Sequence, residues 1–287
     1  MITRKFAITM TLSAIALVGA LSIAPSINAA DAPQHINPLI DKLQKPGVLL
    51  TPNDWAFLDY EHGKPFSVAD IRADLAELGK KRTATGQLET VPIVRLPADG
   101  DEQSRWMVKQ TLDSGAFGIV FGHIESRAEA LRAIENMRYP TQKGAPVYKP
   151  EGKRGYGPTL APKYWGLSSG LEYFNNADVY PLNPKGNLLA IIMIETAEGV
   201  KHIDEITSTP GVGGILIGPS DLGVSLGVGP LYPKNAPETE AAIQTIVNSC
   251  KKYNVPCITL ASTGPDEVKR RADQGFKALI VKIGLPQ

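Results

Sequence analysis

The sequence predicts an α/β fold, a TIM-type (β/α)8 barrel, and three observations carry that prediction. From residue 55 onward, short β-rich runs alternate with helical patterns, an order that implies parallel strands joined by crossover helices. The runs are short and apolar, as the buried strands of a barrel are. No shift in composition divides the 287 residues, and barrels commonly use more than 200 residues for one core. With 43% hydrophobic and 21% charged residues the chain has the material for such a core and lacks the bias of a disordered or collagenous protein.

Residues 1–30 stand apart and read as a secretory signal peptide. Arg4 and Lys5 form a positive start, Phe6 to Ala24 an apolar stretch, and Pro25 with Ala29 and Ala30 a break and small residues before Asp31. Cleavage is expected after Ala29 or Ala30, giving an exported, periplasmic or secreted protein without stable membrane association. The rival reading is an uncleaved anchor, because the apolar stretch nears the length that spans a bilayer. Removing residues 1–30 takes away Arg4, Lys5 and no acid, so 28 of the 30 Lys and Arg remain against 29 Asp and Glu. Such a balance points to neither nucleic acid nor an anionic membrane as partner. Cys250 and Cys257 can be read as a disulfide of an oxidising compartment or equally as two core thiols.

Residues 31–287 are expected to form a single barrel domain. Its first apolar run, "GVLL" at 47–50, is separated from the next by only Thr51 to Asp54, and four residues cannot make a parallel crossover. Either the first unit is truncated or "GVLL" is not a barrel strand. Seven strands then follow in order: WAFLDYE, TVPIVRLP, GIVFGHI, NLLAIIMIE, VGGILIGPSD, PCITLAS and ALIVKIG. Ser67 with Asp70, Ser126 with Glu129 and Thr263 with Asp266 are spaced as capping boxes that start helices. Val68, Ile71, Leu75 and Leu78 make one apolar stripe, and Gly79 marks its stop. Residues 141–186, rich in Gly, Pro and aromatics, are too long for an ordinary connection. They are expected to be a functional loop over the strand ends or an oligomer contact. No helix is expected after the last strand.

Active sites of parallel barrels form at the C-terminal ends of the strands. The groups standing there are Asp59, Glu61 and His62 after the second run, Arg95 after the third, His123, Glu195 and Asp221. Glu195 and Asp221 are 26 residues apart, about one β/α unit, and so belong on adjacent strand ends. Two carboxylates placed in this way, with positions left for water and substrate oxygens, suit a hard divalent ion. The plainer reading is that each acid caps the helix that follows it.

These residues sit in recognisable motifs. "DYEHG", "VPIVRLP", "MIET" and "IGPSDL" resemble, in this order, the D-G-E-H, V-V-R-P, Q-I-E-T and I-G-P-A-D-L segments of the HpcH/HpaI aldolase/citrate lyase family of metal-dependent class II pyruvate aldolases. The likeness runs from about residue 55 to 284, through "KQTLDSGAFGIV" and "ENMRYP". It implies Glu195 and Asp221 as metal ligands, for Mg²⁺ or else Mn²⁺ or Co²⁺, and a small 2-oxo acid as substrate. Arg95 would stand beside the 2-oxo group, and His62, oriented by Asp59, would be the acid/base. The chemistry explains these types, since an enolate oxygen needs positive charge in a dry pocket and an imidazole titrates near neutrality. Backbone N–H groups of Ser220 and Asp221, opening a helix, would hold the substrate carboxylate. His123 is a supporting candidate there. The duller alternatives are a structural His62 and an Arg95 that only pairs with a neighbouring acid. Arg154, in an R-G pair like one in the family's loop, is expected to be a solvated arginine.

Three departures bear on activity. Met193 stands where the family commonly has glutamine, the first β/α unit is shortened, and the terminal helix that family members tend to exchange between subunits is missing, which bears on a homo-oligomer. The expected activity is therefore cleavage of a 4-hydroxy-2-oxo acid to pyruvate or an analogue and an aldehyde. The alternatives are a citryl- or malyl-thioester lyase, disfavoured by export, and a non-catalytic binder of oxo acids.

Overall fold

A computed structural model describes residues 35–97, 105–230 and 235–286. The segment read as a signal peptide lies outside the described residues. Helix α1 (Pro38–Gln44) leads into the short strand β1 (Leu49–Leu50) and then β2 (Trp55–Asp59). Alternation follows: α2 (Val68–Leu78), β3 (Val91–Arg95), α3 (Arg105–Ser114), β4 (Gly118–Phe121) and α4 (Arg127–Met137). Residues 141–186 contribute α5 (Ala161–Tyr164), α6 (Gly170–Asn176) and β5 (Val179–Tyr180). Then come β6 (Leu188–Ile194), α7 (Ala197–Lys201), α8 (Ile203–Thr207), β7 (Val212–Ile217) and α9 (Pro219–Ser225). The chain ends through α10 (Pro237–Tyr253), β8 (Cys257–Leu260), α11 (Pro265–Gln274) and β9 (Ala278–Ile280).

All the ladders are parallel, in the order β1-β9-β8-β7-β6-β4-β3-β2, with β5 added to the start of β6. This is the cyclic order of an eight-stranded barrel, nearly closed, with helices between the strands. Every residue of β2, β3, β4, β6 and β7 is buried, as a sheet covered on both faces requires.

The two readings of "GVLL" are thereby decided. Leu49 and Leu50 form a strand, but it ladders with Ala278 and Leu279 of β9 rather than with β2. Residues 51–54 therefore make no crossover; they form a turn in which Asn53 and Asp54 N–H donate to the Leu50 carbonyl. The seam between β1 and β2 is held by the C-terminal segment. Buried Thr51 accepts from the N–H groups of Val281 and Lys282 and donates to the Lys282 carbonyl, and Gly284 N–H donates to Phe57 of β2 at 2.8 Å. Residues 281–286 form no helix.

Two of the three expected caps are present. Ser67 accepts from Asp70 N–H, and Ser126 with Glu129 forms a reciprocal capping box. Thr263 does not cap α11: that helix opens on Pro265, whose fixed φ suits the first helical position, and Gly264 becomes the N-cap. Cys250 and Cys257 are both buried free thiols. A cavity of about 680 Å³ near them is lined by Leu189, Val212 and Cys257 among others, and among the described residues that line it none carries a carboxylate or imidazole.

The insertion at 141–186 is not a lid over the strand C-termini. It joins the C-terminal end of α4 to the N-terminal end of β6, and its anchors hold residues that precede β4. Trp165 stacks on Phe117 at 4.3 Å and donates to the Gly115 carbonyl. Arg154 corrects the expectation of a solvated arginine: it is only 2% exposed. Its Nη2 donates to Asp113 at 2.7 Å, and its guanidinium faces the rings of Tyr139 and Tyr173. A planar, weakly hydrated cation tolerates such burial when it is paired and stacked.

Candidate active site

The C-terminal ends of β2, β3, β4, β6 and β7 bring one polar cluster together on an otherwise apolar barrel. Asp59 and Arg95 are the last residues of β2 and β3 and stand directly opposite in that ladder. Their side chains form a bidentate pair, Nε to Oδ1 at 2.9 Å and Nη2 to Oδ2 at 2.7 Å. Both are buried. The remaining arm, Nη1, lies 2.8 Å from Glu61 Oε2 and 3.8 Å from the Met193 sulfur. Where the family commonly has an amide, this chain thus offers Arg95 only a weak thioether acceptor.

Asp59 does more than pair. Its carboxylate also accepts the backbone N–H groups of Glu61, His62 and Gly63, which fixes the turn leaving β2. Burial works to raise its pKa, but the Arg95 bonds and charge and these N–H groups outweigh it and hold Asp59 below the usual carboxylate range. Asp59 therefore orients the backbone at His62 and the guanidinium of Arg95 rather than the imidazole. The carboxylate beside the His62 ring is Glu61, with Nε2 3.6 Å from Oε2, and the ring is 67% exposed. Glu61 has no counterpart among the residues that the motifs assign a role. It already stood among the acids read at this strand end; the turn capped by the Asp59 carboxylate, rather than strand alternation, carries it to Arg95. Burial raises its pKa even against the pull of Arg95.

Glu195, the residue after β6, is 2% exposed. Burial, with the charges of Glu61 and Asp221 adding to it, pushes its pKa up to about 7, although the His123 N–H bond and charge act in the opposite direction. That N–H donates to Oε1 at 2.9 Å. His123 adopts a left-handed backbone, φ 50°, and its Nε2 stands 3.6 Å from the same oxygen. Asp221 is half-buried in the first turn of α9, as is Ser220. The early N–H groups of a helix have no acceptor within it, and Gly218, the N-cap here, supplies no side chain. Gly218 is also needed for space: a Cβ there would meet Glu195 Oε2 at 2.5 Å and Met193 Cε at 2.7 Å.

Asp59, Glu61 and Glu195 thus all act on one guanidinium, and Asp221 adds its charge to that of Glu195. Among the described residues no three His, Cys, Asp or Glu side chains already close into a metal cage. The surplus of negative charge nevertheless fits a divalent cation at Glu195 and Asp221, because like charges in a desolvated site raise each other's pKa unless a cation offsets them.

The arrangement agrees with the comparisons to known proteins. Residues 47–285 match the HpcH/HpaI aldolase/citrate lyase family. The chain belongs to that family. It is 29% identical over 224 residues to a hydroxypyruvate/pyruvate aldolase of Paraburkholderia phytofirmans, covering 78% of this chain and 76% of the relative. It is 30% identical over 231 residues to the 5-keto-4-deoxy-D-glucarate aldolase of Citrobacter koseri, covering 80% and 76%. Among solved structures, an HpcH/HpaI aldolase/citrate lyase family protein of Burkholderia cenocepacia superposes with a TM-score of 0.67 at 25% identity, over 86% of this chain and 93% of that one. Its membership makes this chain a member of an aldolase and lyase family, acting on small oxo acids. Among the described residues no helix is long and apolar enough to cross a membrane.

Proposed function

We propose that the protein cleaves a 4-hydroxy-2-oxo acid between C3 and C4, giving pyruvate or a close analogue and an aldehyde, with a divalent metal ion held by Glu195 and Asp221. In this reading the N-terminal segment directs the enzyme out of the cytoplasm. The observation that carries the proposal is the buried Arg95, held rigid by Asp59 beside a carboxylate cluster whose excess negative charge calls for a cation. When bound, the ion supplies a Lewis acid for the 2-oxo group.

The chain's own residues do the rest. Cleavage moves the C3–C4 bonding pair toward the 2-oxo oxygen, and Asp59 holds the guanidinium of Arg95 in place so that Nη1, the arm shared with Glu61, can meet that developing charge. The C4 hydroxyl must lose its proton, and C3 must later gain one. His62, exposed at the cluster's rim and flanked by Glu61, is placed to exchange such protons with substrate or water. The N–H groups of Ser220 and Asp221 hold the substrate carboxylate.

The test uses residues 31–287, stripped of metal and resupplied with Mg²⁺, Mn²⁺ or Co²⁺, with pyruvate release followed from a panel of 4-hydroxy-2-oxo acids. Metal-dependent release that is lost in His62→Ala and Glu195→Ala supports the reading. Binding of metal and pyruvate without turnover on any substrate replaces it with a non-catalytic oxo-acid binder, to which Met193 would be the pointer.

A further inference from the structure

His123 has a geometry that a merely structural residue does not require. Its left-handed backbone is rare for a side chain other than glycine, although histidine is among the residues enriched there. Strained conformations of this kind persist where the surroundings over-determine them, and they cluster at functional sites. Here the conformation brings two nitrogens of one residue to one oxygen. The backbone N–H donates to Glu195 Oε1 at 2.9 Å, and the imidazole Nε2 stands 3.6 Å from that atom. The N–H bond uses a direction on Glu195 Oε1 that leaves its other oxygen to face the Gly218 side, where a Cβ would meet it. The ring is partly exposed, with its Nε2 on the side of Glu195.

Two donors that share one ion at about 2.1 Å, with an angle of about 90° to 120° between them, lie roughly 3.0–3.6 Å apart. The spacing of 3.6 Å between Nε2 and Oε1 falls at the end of that range. We propose that the imidazole of His123 joins Glu195 as a ligand of the divalent ion, so that the site favours Co²⁺ and Ni²⁺, which take nitrogen donors well, over Mg²⁺, which prefers oxygen. The inference rests on the metal site proposed above; no three such side chains among the described residues already stand as a cage, so the His123 ring, paired with Glu195, closes on the ion when it binds. Its physical basis is donor softness: imidazole suits the later first-row ions, whereas two carboxylates alone suit Mg²⁺ or Mn²⁺.

The experiment measures binding of Mg²⁺, Co²⁺ and Ni²⁺ by calorimetry to the purified wild type, His123→Asn and His123→Gly, and records pulsed EPR spectra of each protein loaded with Mn²⁺. Asparagine and glycine both accept a left-handed backbone, so the N–H bond to Glu195 survives the change. Nitrogen modulation in the wild-type spectrum, lost in both variants, is expected. Loss of Co²⁺ and Ni²⁺ affinity by about 10-fold or more, with Mg²⁺ affinity moving less than about 3-fold, is expected alongside it. An ion-loaded wild type without nitrogen modulation, or equal losses for all three ions, overturns the proposal and leaves Mg²⁺-dependent pyruvate release untouched. A wild type that binds no divalent ion, and so matches Glu195→Ala, overturns both this inference and the metal-dependent function beneath it.

Discussion

Replacing Glu195 by glutamine in metal-free protein isolates the electrostatic cost of the cluster. The carboxyl is pushed from its ordinary 4.5 up to about 7 by burial first and by Glu61 and Asp221 second. Between those two values the folded chain binds more protons at this site than the unfolded chain, so stability falls as pH rises through the window. The group is harmless below about pH 4.5 and carries its full penalty above about pH 7. At about 1.4 kcal/mol for each pH unit, the penalty reaches up to about 3 kcal/mol. A glutamine has the same shape, still accepts from the His123 N–H and never ionises. Urea denaturation in excess chelator at pH 5, 6, 7 and 8 is the assay. Glu195→Gln should match the wild type near pH 5 and exceed it progressively, by up to about 3 kcal/mol at pH 8. A difference that does not change with pH, or a variant less stable than wild type at pH 8, would refute the reasoning that the cluster is over-charged. Saturating divalent ion should erase the variant's advantage by stabilising only the wild type.

Asp59→Asn should destabilise the fold by roughly 3 kcal/mol, the lower end of the cost of breaking a buried ion pair, because Glu61 remains beside the stranded Arg95; urea denaturation reads it directly. Thr51→Val keeps the shape of the side chain but removes its three hydrogen bonds at the seam. A loss of about 1–3 kcal/mol is expected, with amide exchange accelerating at Val281 and Lys282 before the central strands. Gly218→Ala should leave the helices intact by circular dichroism yet displace Glu195, and calorimetric Mn²⁺ affinity should fall by about 10-fold or more. Unchanged affinity there would mean that the strand end gives way instead of the carboxylate.

The seven short apolar runs and the helices between them were legible because strands buried on both faces carry their own signature, and parallel strands demand crossovers. The ends of those runs were equally legible as the place for Asp59, Arg95, Glu195 and Asp221. Less was readable where the reason for a residue lies elsewhere in the chain. "GVLL" could not be assigned from its neighbours, since its ladder partner β9 is more than 220 residues away and its link to β2 is a turn. Arg154 looked like any loop arginine until Asp113, Tyr139 and Tyr173 closed around it. Thr263 had the right spacing for a cap and lost the position to Gly264 and Pro265.

By itself, then, the sequence determined which chemical groups the barrel presents and at which end of its strands, because period, burial and motif order are local properties of the chain. Only the tertiary structure decided how those groups pair. It gave Asp59 to Arg95 rather than to the His62 ring, set Glu61 against Arg95, and set the backbone N–H and the Nε2 of His123 against one oxygen of Glu195. Those pairings join strands that are distant in sequence, and their partners are selected by ladder register and by the closing of the barrel, which no single strand encodes.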